Sequence, residues 1–591
     1  MNQRYCDIVM KGGITSGVVY PLAVYELSKT YRFRNVGGTS VGALAAAAAA
    51  AAEYGRDRVG GGFEELKKLP GWLAAMSPDG RQTNLAALFQ PQPATRPLFA
   101  LLTAAIGPGR GRIPRIAGAI IRSFPLAVLA GALPGALLAY LSVTSVAGSI
   151  RWAALASSLL LVLLGAALAA GWAIWRRATR RLPENYFGLC TGHADQHASS
   201  VPPLTDWLAD YVDKLAGKKA ADGPLTFGDL KGSGEQADIN LLMLTTSLTH
   251  GRPYRVPFEE NTFFFDPDQW RKLFPERVVR WMLDHPRAPA EPGDRLRPLP
   301  AAKDLPVVVG ARLSLSFPGL LSALPLYAVD YSRTRPQERK PEICWFSDGG
   351  ICSNFPVHFF DQPLPRWPTF AINLRPFHPD KPEVEVWMPE SNSGGIAEWW
   401  TRFDAASGPD RTLGFVVAIF GAMQNWVDNT QLRLPGYRDR VAHVSVGADE
   451  GGLNLNMPAE VVRRLSRRGS RAGEELVRRF APTANAPELD WDNHRWIRYR
   501  STMSLVEEML RRIGRSLGSV APGDRSYYQL ILRGQAETPK GYQWKNDDHR
   551  DFAVTATEKL AVLAGDLGAA KTPFACGAPR PMPMLRIMPR I

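Results

Sequence analysis

Three stretches of this chain carry residue types that could act together. Gly38-Thr39-Ser40-Val41-Gly42 is a Gly-x-Ser-x-Gly turn that runs into an alanine-rich segment, Ala45 to Ala52. Between a strand and a helix, such a turn is a nucleophile elbow, in which the glycines allow close packing and the serine is left at the apex. Gly12-Gly13 follows the apolar run Asp7-Ile8-Val9-Met10. Backbone amides there, with the amide of Val41, could stabilise the negative charge that builds on an attacked carbonyl oxygen. Asp348-Gly349-Gly350 closes another apolar run, Ile343 to Phe346, and places a carboxylate at the end of a strand. A serine hydroxyl needs a base, and an aspartate held close in a dry site supplies one. None of the nine histidines stands in a context that marks a catalytic base.

These residues need elements to position them. Asp7–Met10 reads as a strand, Val18–Thr30 as a helix, Asn35–Gly37 as a second strand and the alanine run as a second helix. Two strands joined by a helix imply a parallel pair in an α/β sandwich, whose post-strand loops gather at one edge. The Gly12-Gly13 loop and Ser40 should therefore be neighbours. Further strands are expected at Ile239–Thr246, Pro306–Ala311, Ile343–Phe346 and Pro368–Leu374, the last taken as the end of the sheet, with a helix starting at Leu204. Residues 60–110 show no clear period.

Composition narrows the function classes. The 591 residues include 45% hydrophobic and 21% charged ones, as in folded proteins. Five scattered cysteines without a Cys-x-x-Cys pair argue against a disulfide framework or a zinc site, and no cofactor or metal is expected. Met1–Met10 has no apolar core, so no cleavable signal peptide is expected. The net charge of +14 does not indicate nucleic-acid binding, because eleven arginines and no acidic residue lie between 80 and 183, leaving about +3 for the rest. Those arginines flank two uncharged runs, Ser123–Ile150 (28 residues) and Trp152–Trp175 (24 residues). Each exceeds the roughly 20 residues that a membrane span needs. Arg110, Arg112, Arg115 and Arg122 precede the pair, and Arg176, Arg177, Arg180 and Arg181 follow it. The positive-inside rule places both flanks in the cytoplasm.

Taken together, the Gly-Gly loop, the Gly-Thr-Ser-Val-Gly elbow, Ser314-x-Ser316-x-Pro318-Gly319-Leu320 and Asp348-Gly349-Gly350 with Asn354 and Pro356 resemble a patatin-like phospholipase. The resemblance covers about residues 5–60 and 183–380. It implies a three-layer α/β/α sandwich with a mostly parallel sheet and a Ser40–Asp348 dyad without catalytic histidine. Gly12, Gly13 and Val41 form the implied oxyanion hole, with Gly38, Gly42, Gly349 and Gly350 as motif glycines. Ile14 and Ser16 stand where that family's loop usually has a third glycine and a basic residue. The implied organisation is an N-terminal catalytic part (1–80), an insertion (81–182) with membrane helices at about 124–148 and 152–175, the rest of the catalytic domain (183–450), and a mainly helical extension (451–591).

The function expected is a membrane-anchored phospholipase A-type hydrolase of bilayer phospholipids, multi-pass in the cytoplasmic membrane with its catalytic domain in the cytoplasm. A membrane-tethered scaffold of the same fold and a histidine-assisted hydrolase are the alternatives. The sequence leaves the oligomeric state open. Residues 411–432 carry an apolar stripe (Leu413, Val416, Val417, Phe420, Met423, Trp426, Val427) read as core. Seven arginines between Val461 and Phe480 read either as a solvated face or as a contact for anionic headgroups.

Overall fold

The computed structural model describes residues 3–106, 111–145, 148–194, 200–232, 238–260, 262–287, 295–395, 400, 408–447, 450–452, 454–481, 489–532 and 541–583. Cys6 to Met10 are five consecutive buried residues, the pattern of a strand covered on both faces. This strand, β1 (Tyr5–Met10), lies beside β2 (Arg32–Gly38) at the middle of a mixed sheet. In chain order the remaining strands are β3 (Gly188–Cys190), β4 (Asn240–Ser247), β5 (Arg252–Val256), β6 (Phe264–Phe265), β7 (Arg297–Pro298), β8 (Gly319–Leu321), β9 (Leu324–Val329), β10 (Pro341–Asp348), β11 (Thr369–Pro376), β12 (Val386–Trp387) and β13 (Val441–Val446). The sheet order is β12-β13-β11-β1-β2-β4-β10-β9-β6-β7, with β5 also on β4; β3 and β8 form a separate pair. The five central strands β13, β11, β1, β2 and β4 run parallel. Antiparallel strands extend the sheet on both sides. Ser40 follows β2 and Asp348 is the last residue of β10, and these two strands lie on either side of β4.

The alanine run has a packing reason. The Val41–Tyr54 helix is enclosed on nearly every side, and Ala46, Ala47 and Ala49 to Ala52 are fully buried. Methyl side chains let it lie against the sheet and the Gly62–Ala74 and Leu204–Leu215 helices at once.

Several expectations change. Pro306–Ala311 is not a strand, because Val307–Ser314 forms a buried helix behind Pro306, whose own segment bridges to Thr226. Short apolar runs do not distinguish a buried helix from a strand, and here the tertiary setting decides. Residues 60–110 contain helices at Gly62–Ala74 and Arg96–Ile106. The sheet does not end at Leu374, since β13 pairs with β11 and β12 with β13. After residue 450 the described elements are helices, as expected. The Ala459–Phe480 helix rests on the Tyr20–Ser28 helix so closely that a Cβ on Gly469 would stand 1.9 Å from the Val19 carbonyl oxygen.

The two apolar runs form helices Pro125–Ser145 and Ser149–Glu184, of 21 and 36 residues, both long and apolar enough to cross a membrane. The first continues through Pro134. The second passes the Trp175 end expected from sequence and carries its arginines to Glu184, about 54 Å at 1.5 Å per residue. They cross at small residues: a Cβ on Gly131 would meet the Gly165 carbonyl oxygen at 2.2 Å, and one on Gly135 would meet the Val162 amide at 2.4 Å. Leucines such as Leu126, Leu133, Leu163 and Leu168 face outward. Arg110 lies outside the described residues.

Candidate active site

Ser40 occupies the elbow with φ 55° and ψ −129°, a conformation costly for a residue with a Cβ. The flanking glycines are required by close approach. A Cβ on Gly42 would stand 2.2 Å from the Met10 carbonyl oxygen, and one on Gly38 would stand 2.4 Å from the Gly42 carbonyl oxygen. Ser40 is 3% exposed, and its amide donates to Ser314 Oγ at 3.1 Å. From the same segment, the Ser316 carbonyl accepts the Asp348 amide (3.0 Å) and the Ser347 hydroxyl (2.9 Å). The Ser314–Ser316 segment therefore fixes the serine and the aspartate relative to one another.

Asp348 is 3% exposed. Its Oδ1 accepts the Gly350 amide at 2.7 Å, while Oδ2 makes no bond of good geometry. Burial pushes the carboxyl up to about 7, opposed by its interactions with the Ser40 hydroxyl and the Gly350 amide. Near neutrality the group is poised to gain or lose a proton, as a general base for serine requires. Gly349 is demanded by the Leu244 carbonyl oxygen, 2.1 Å from where its Cβ would be.

The glycine loop lies against this pair, with the Cβ position of Gly12 3.1 Å from Ser40 Cβ and that of Gly17 2.4 Å from Val41 Cγ2. One of the three expected donors is already committed. The Gly12 amide donates to the Asn354 carbonyl at 2.8 Å, which removes Gly12 from the oxyanion donors predicted from sequence. Among the described residues, the amides of Gly13 and Val41 donate to no protein acceptor. Asn354, two residues before Pro356 in the motif, also accepts the Thr39 hydroxyl at 3.0 Å. Its own amide donates to Asp428 Oδ2 at 2.8 Å. Asp428 collects the Ser353 hydroxyl and the Phe355 amide as well. From the other side, Thr15 donates through its amide and its hydroxyl to the Gly452 carbonyl at 3.1 and 3.0 Å. Neighbouring Glu450 is buried and paired with Arg464 and Arg468.

A narrow apolar channel starts at Val41, the residue after the serine, and lies between the Val41–Tyr54, Gly62–Ala74 and Leu204–Leu215 helices. Ile14, Gly17, Val41, Leu315 and Phe317 line it near the site; Leu69, Leu73, Leu88, Trp207 and Tyr211 line it further along. Val41, Leu44, Ala45 and Ala48 give it one face of the elbow helix. The walls are almost wholly apolar. Among the described residues, no group of three or more histidine, cysteine, aspartate or glutamate side chains is placed to hold a metal ion.

The chain is 36% identical to the RpoH suppressor of Rhizobium meliloti (strain 1021) over 658 residues, spanning 99% of both proteins. It belongs to the family of that protein. The relative's name specifies no reaction. No family model matches the sequence. The crystal structure of VipD from Legionella pneumophila aligns with 95% of this chain and 86% of its own at 12% identity, with a TM-score of 0.27, too loose to inform fold or site.

Ser40, Asp348, Gly13 and Val41 thus come together as the spacing predicts. Sequence reasoning missed what holds them: Ser314 as a positioning contact, Asp428 and Glu450. It also missed Arg312, which is completely buried and bonded to Ser316 Oγ and to the Thr191 and Ser322 carbonyls. Burial lowers its pKa to about 10. The arginines of the Ala459–Phe480 helix are internally paired, each of the seven having a carboxylate partner among Glu385, Glu450, Glu460 and Glu475. Arg468 and Arg479 are buried, which corrects the solvated reading for those two, while Arg463, Arg467, Arg471 and Arg478 stay more than half exposed. Met423 and Trp426, read as core, are exposed. The side chains of Leu413, Val416, Val417 and Phe420 lie outside the described residues.

Proposed function

We propose that the protein is a membrane-anchored serine acyl hydrolase with a patatin-like α/β/α catalytic domain, acting on the ester bonds of phospholipids. The observation that carries this reading is the elbow serine beside a buried aspartate, with an apolar channel that starts at the next residue, Val41. Such a channel suits an acyl chain, since each methylene taken from water favours binding by about 0.8 kcal/mol. In the proposed reaction Asp348 accepts the Ser40 proton as Oγ attacks the ester carbonyl carbon. The oxyanion is stabilised by the Gly13 and Val41 amides. Collapse of the tetrahedral intermediate expels the alcohol, which takes the proton from Asp348. Water then attacks the acyl-enzyme with Asp348 again as base, releasing the fatty acid.

The two long apolar helices support anchoring. The arginines at both outer ends, against the single Arg151 near the turn, support a cytoplasmic catalytic domain. Labelling of the detergent-solubilised full chain with a fluorophosphonate tests the chemistry. The adduct is expected on wild type and absent from Ser40→Ala, and a folded wild type that takes no Ser40-dependent label overturns the hydrolase reading.

A further inference from the structure

The Gly408–Leu432 helix is fixed to the domain at its C-terminal end. Asp428 is buried there and accepts the Ser353 hydroxyl at 2.9 Å and the Asn354 and Phe355 amides at 2.8 Å. Leu432 packs against the cluster of Phe355, Val357 and Val441. Ahead of Asp428, residues 412–427 are 16 in a row without a charge. Ile419, Ala422, Met423 and Trp426 share one helical face at the i, i+3, i+4, i+7 spacing. All four are exposed, Met423 at 66% and Trp426 at 63%. Exposed apolar side chains are ordinarily scattered over a soluble surface, whereas a contiguous stripe of large ones marks a surface that is covered in use.

A bilayer surface is the cover that fits. The uncharged run is about 24 Å long at ~1.5 Å per residue, short of the ~30 Å hydrocarbon core, so it suits a helix lying in the interface and not one that spans. Tryptophan favours that level of the membrane. The two long apolar helices, moreover, join the domain at the same end of the sheet. Leu324 of β9 pairs with Phe346 of β10, so β9 begins near Asp348. Just before it, the Ser322 hydroxyl donates to the Asn185 carbonyl and the Ala323 amide to the Tyr186 carbonyl, both at 2.8 Å. Asn185 directly follows the Ser149–Glu184 helix. The 353–355 loop that Asp428 holds follows Asp348 at this end as well. Resting on the anchoring reading, we propose that the Ile419–Met423–Trp426 face seats in the interfacial layer of the bilayer that holds the hairpin. The membrane then holds the domain at two points. The second reaches the elbow through Asp428 and Asn354, whose carbonyl accepts the Thr39 hydroxyl at 3.0 Å.

The test uses the full chain in a Ser40→Ala, Cys576→Ser background, which hydrolyses no lipid under the proposed mechanism and lacks the exposed native thiol. Met423→Cys and Gln424→Cys are each labelled with an environment-sensitive fluorophore and reconstituted in phosphatidylcholine–phosphatidylglycerol vesicles spin-labelled near the top of the acyl chain. The labelled parent gives the background. Gln424 is also exposed, about 100° round the helix from Met423 and farther from Ile419 and Trp426. Quenching at 423 should exceed that at 424 by about threefold or more. Equal quenching at the two positions, or none at 423, overturns the proposal. A disulfide between two Met423→Cys chains at high dilution in lipid overturns it in favour of a second copy. Alkaline carbonate extraction tests the anchoring separately. If the chain leaves the vesicles, the anchoring reading fails, and vesicles added to the released chain still decide on the face: one-sided quenching at 423 upholds it and its absence overturns it.

Discussion

Ala48→Phe should convert the protein into a short-chain esterase. Ala48 lies on the channel-facing side of the elbow helix, seven residues beyond Val41. At 1.5 Å per residue it is about 10.5 Å from Val41, the residue after the serine, along the helix axis. An extended chain advances about 1.2 Å per bond, as a fully extended backbone does, so a ring at 48 obstructs an acyl chain beyond about its eighth carbon. A C16 ester has about eight methylenes past that point, worth up to ~6 kcal/mol at ~0.8 each. The displaced end can bend along other apolar surface, so about half of that is the expected loss. This corresponds to a fall in kcat/KM of about a hundredfold for C16, with C4 to C8 esters changed less than about threefold. The assay is hydrolysis of p-nitrophenyl esters from C4 to C16 by wild type, Ala48→Phe and Ala48→Gly, with thermal unfolding to confirm folding. Equal losses at all chain lengths, or an unchanged profile in a folded variant, refute the channel as the acyl site.

Other consequences are more direct. With burial pushing Asp348 up to about 7 and the proposed base acting as carboxylate, kcat/KM for a neutral ester should rise about tenfold per pH unit below 7 and level off above it; a profile flat from pH 5 to 8 excludes it as the base. The same raised pKa means that ionisation opposes folding: this contribution to stability is intact below about 4 and is lost as pH rises through 7. Denaturant titrations should therefore show Asp348→Asn gaining stability over wild type between pH 5 and 8. Asp428→Asn removes the charge that holds the 353–355 loop, and should cost about 1–3 kcal/mol in denaturant unfolding together with a fall in kcat. Gly42→Ala places a methyl 2.2 Å from the Met10 carbonyl oxygen and should destabilise by more than about 3 kcal/mol, whereas Ala45→Gly, one turn along, should cost only about 1 kcal/mol.

What could be read from the sequence was what local geometry encodes. Gly38 and Gly42 are needed because β1 and the elbow helix touch there, and Gly349 because β4 passes within 2.1 Å of its Cβ position. Such requirements leave a fixed spacing, and the elbow and the Asp-Gly-Gly motif were found by it. Asp428 leaves no such trace. It acts through contacts to Ser353, Asn354 and Phe355, more than seventy residues before it, with nothing local to mark it. The helix at Val307–Ser314 was misread because three valines favour a strand, while burial on all sides and the Arg312 contacts settle it as a helix. Gly12 was misassigned for a related reason: composition shows that an amide is available, and only the fold shows that Asn354 has taken it.

The hairpin of two long apolar helices and the Ser40–Asp348 pair are separate in sequence yet mechanically continuous. Where the hairpin leaves and rejoins the domain, its two arms are tied together. The Gln92 amide and the Thr95 hydroxyl both donate to the Leu189 carbonyl, and Arg177 Nε donates to the Ala94 carbonyl. Leu189 lies in β3, whose partner β8 precedes Ser322. Ser322 and Thr191 supply the carbonyls that Arg312 grips, and Arg312 holds Ser316 two residues from the Ser314 hydroxyl on the Ser40 amide. Immediately before the entering arm, Leu85, Leu88 and Phe89 line the apolar channel. Under the proposed anchoring, a lipid would reach the channel beside the point where the domain is fixed to the bilayer, and it would not need to cross water as a free monomer. The strained Ser40 conformation is sustained by the same links, because Ser314 and Asn354 hold the elbow from two sides. Loosening the base of the hairpin should therefore impair the serine as well as the anchor, which a soluble domain joined to its anchor by a flexible linker would not show.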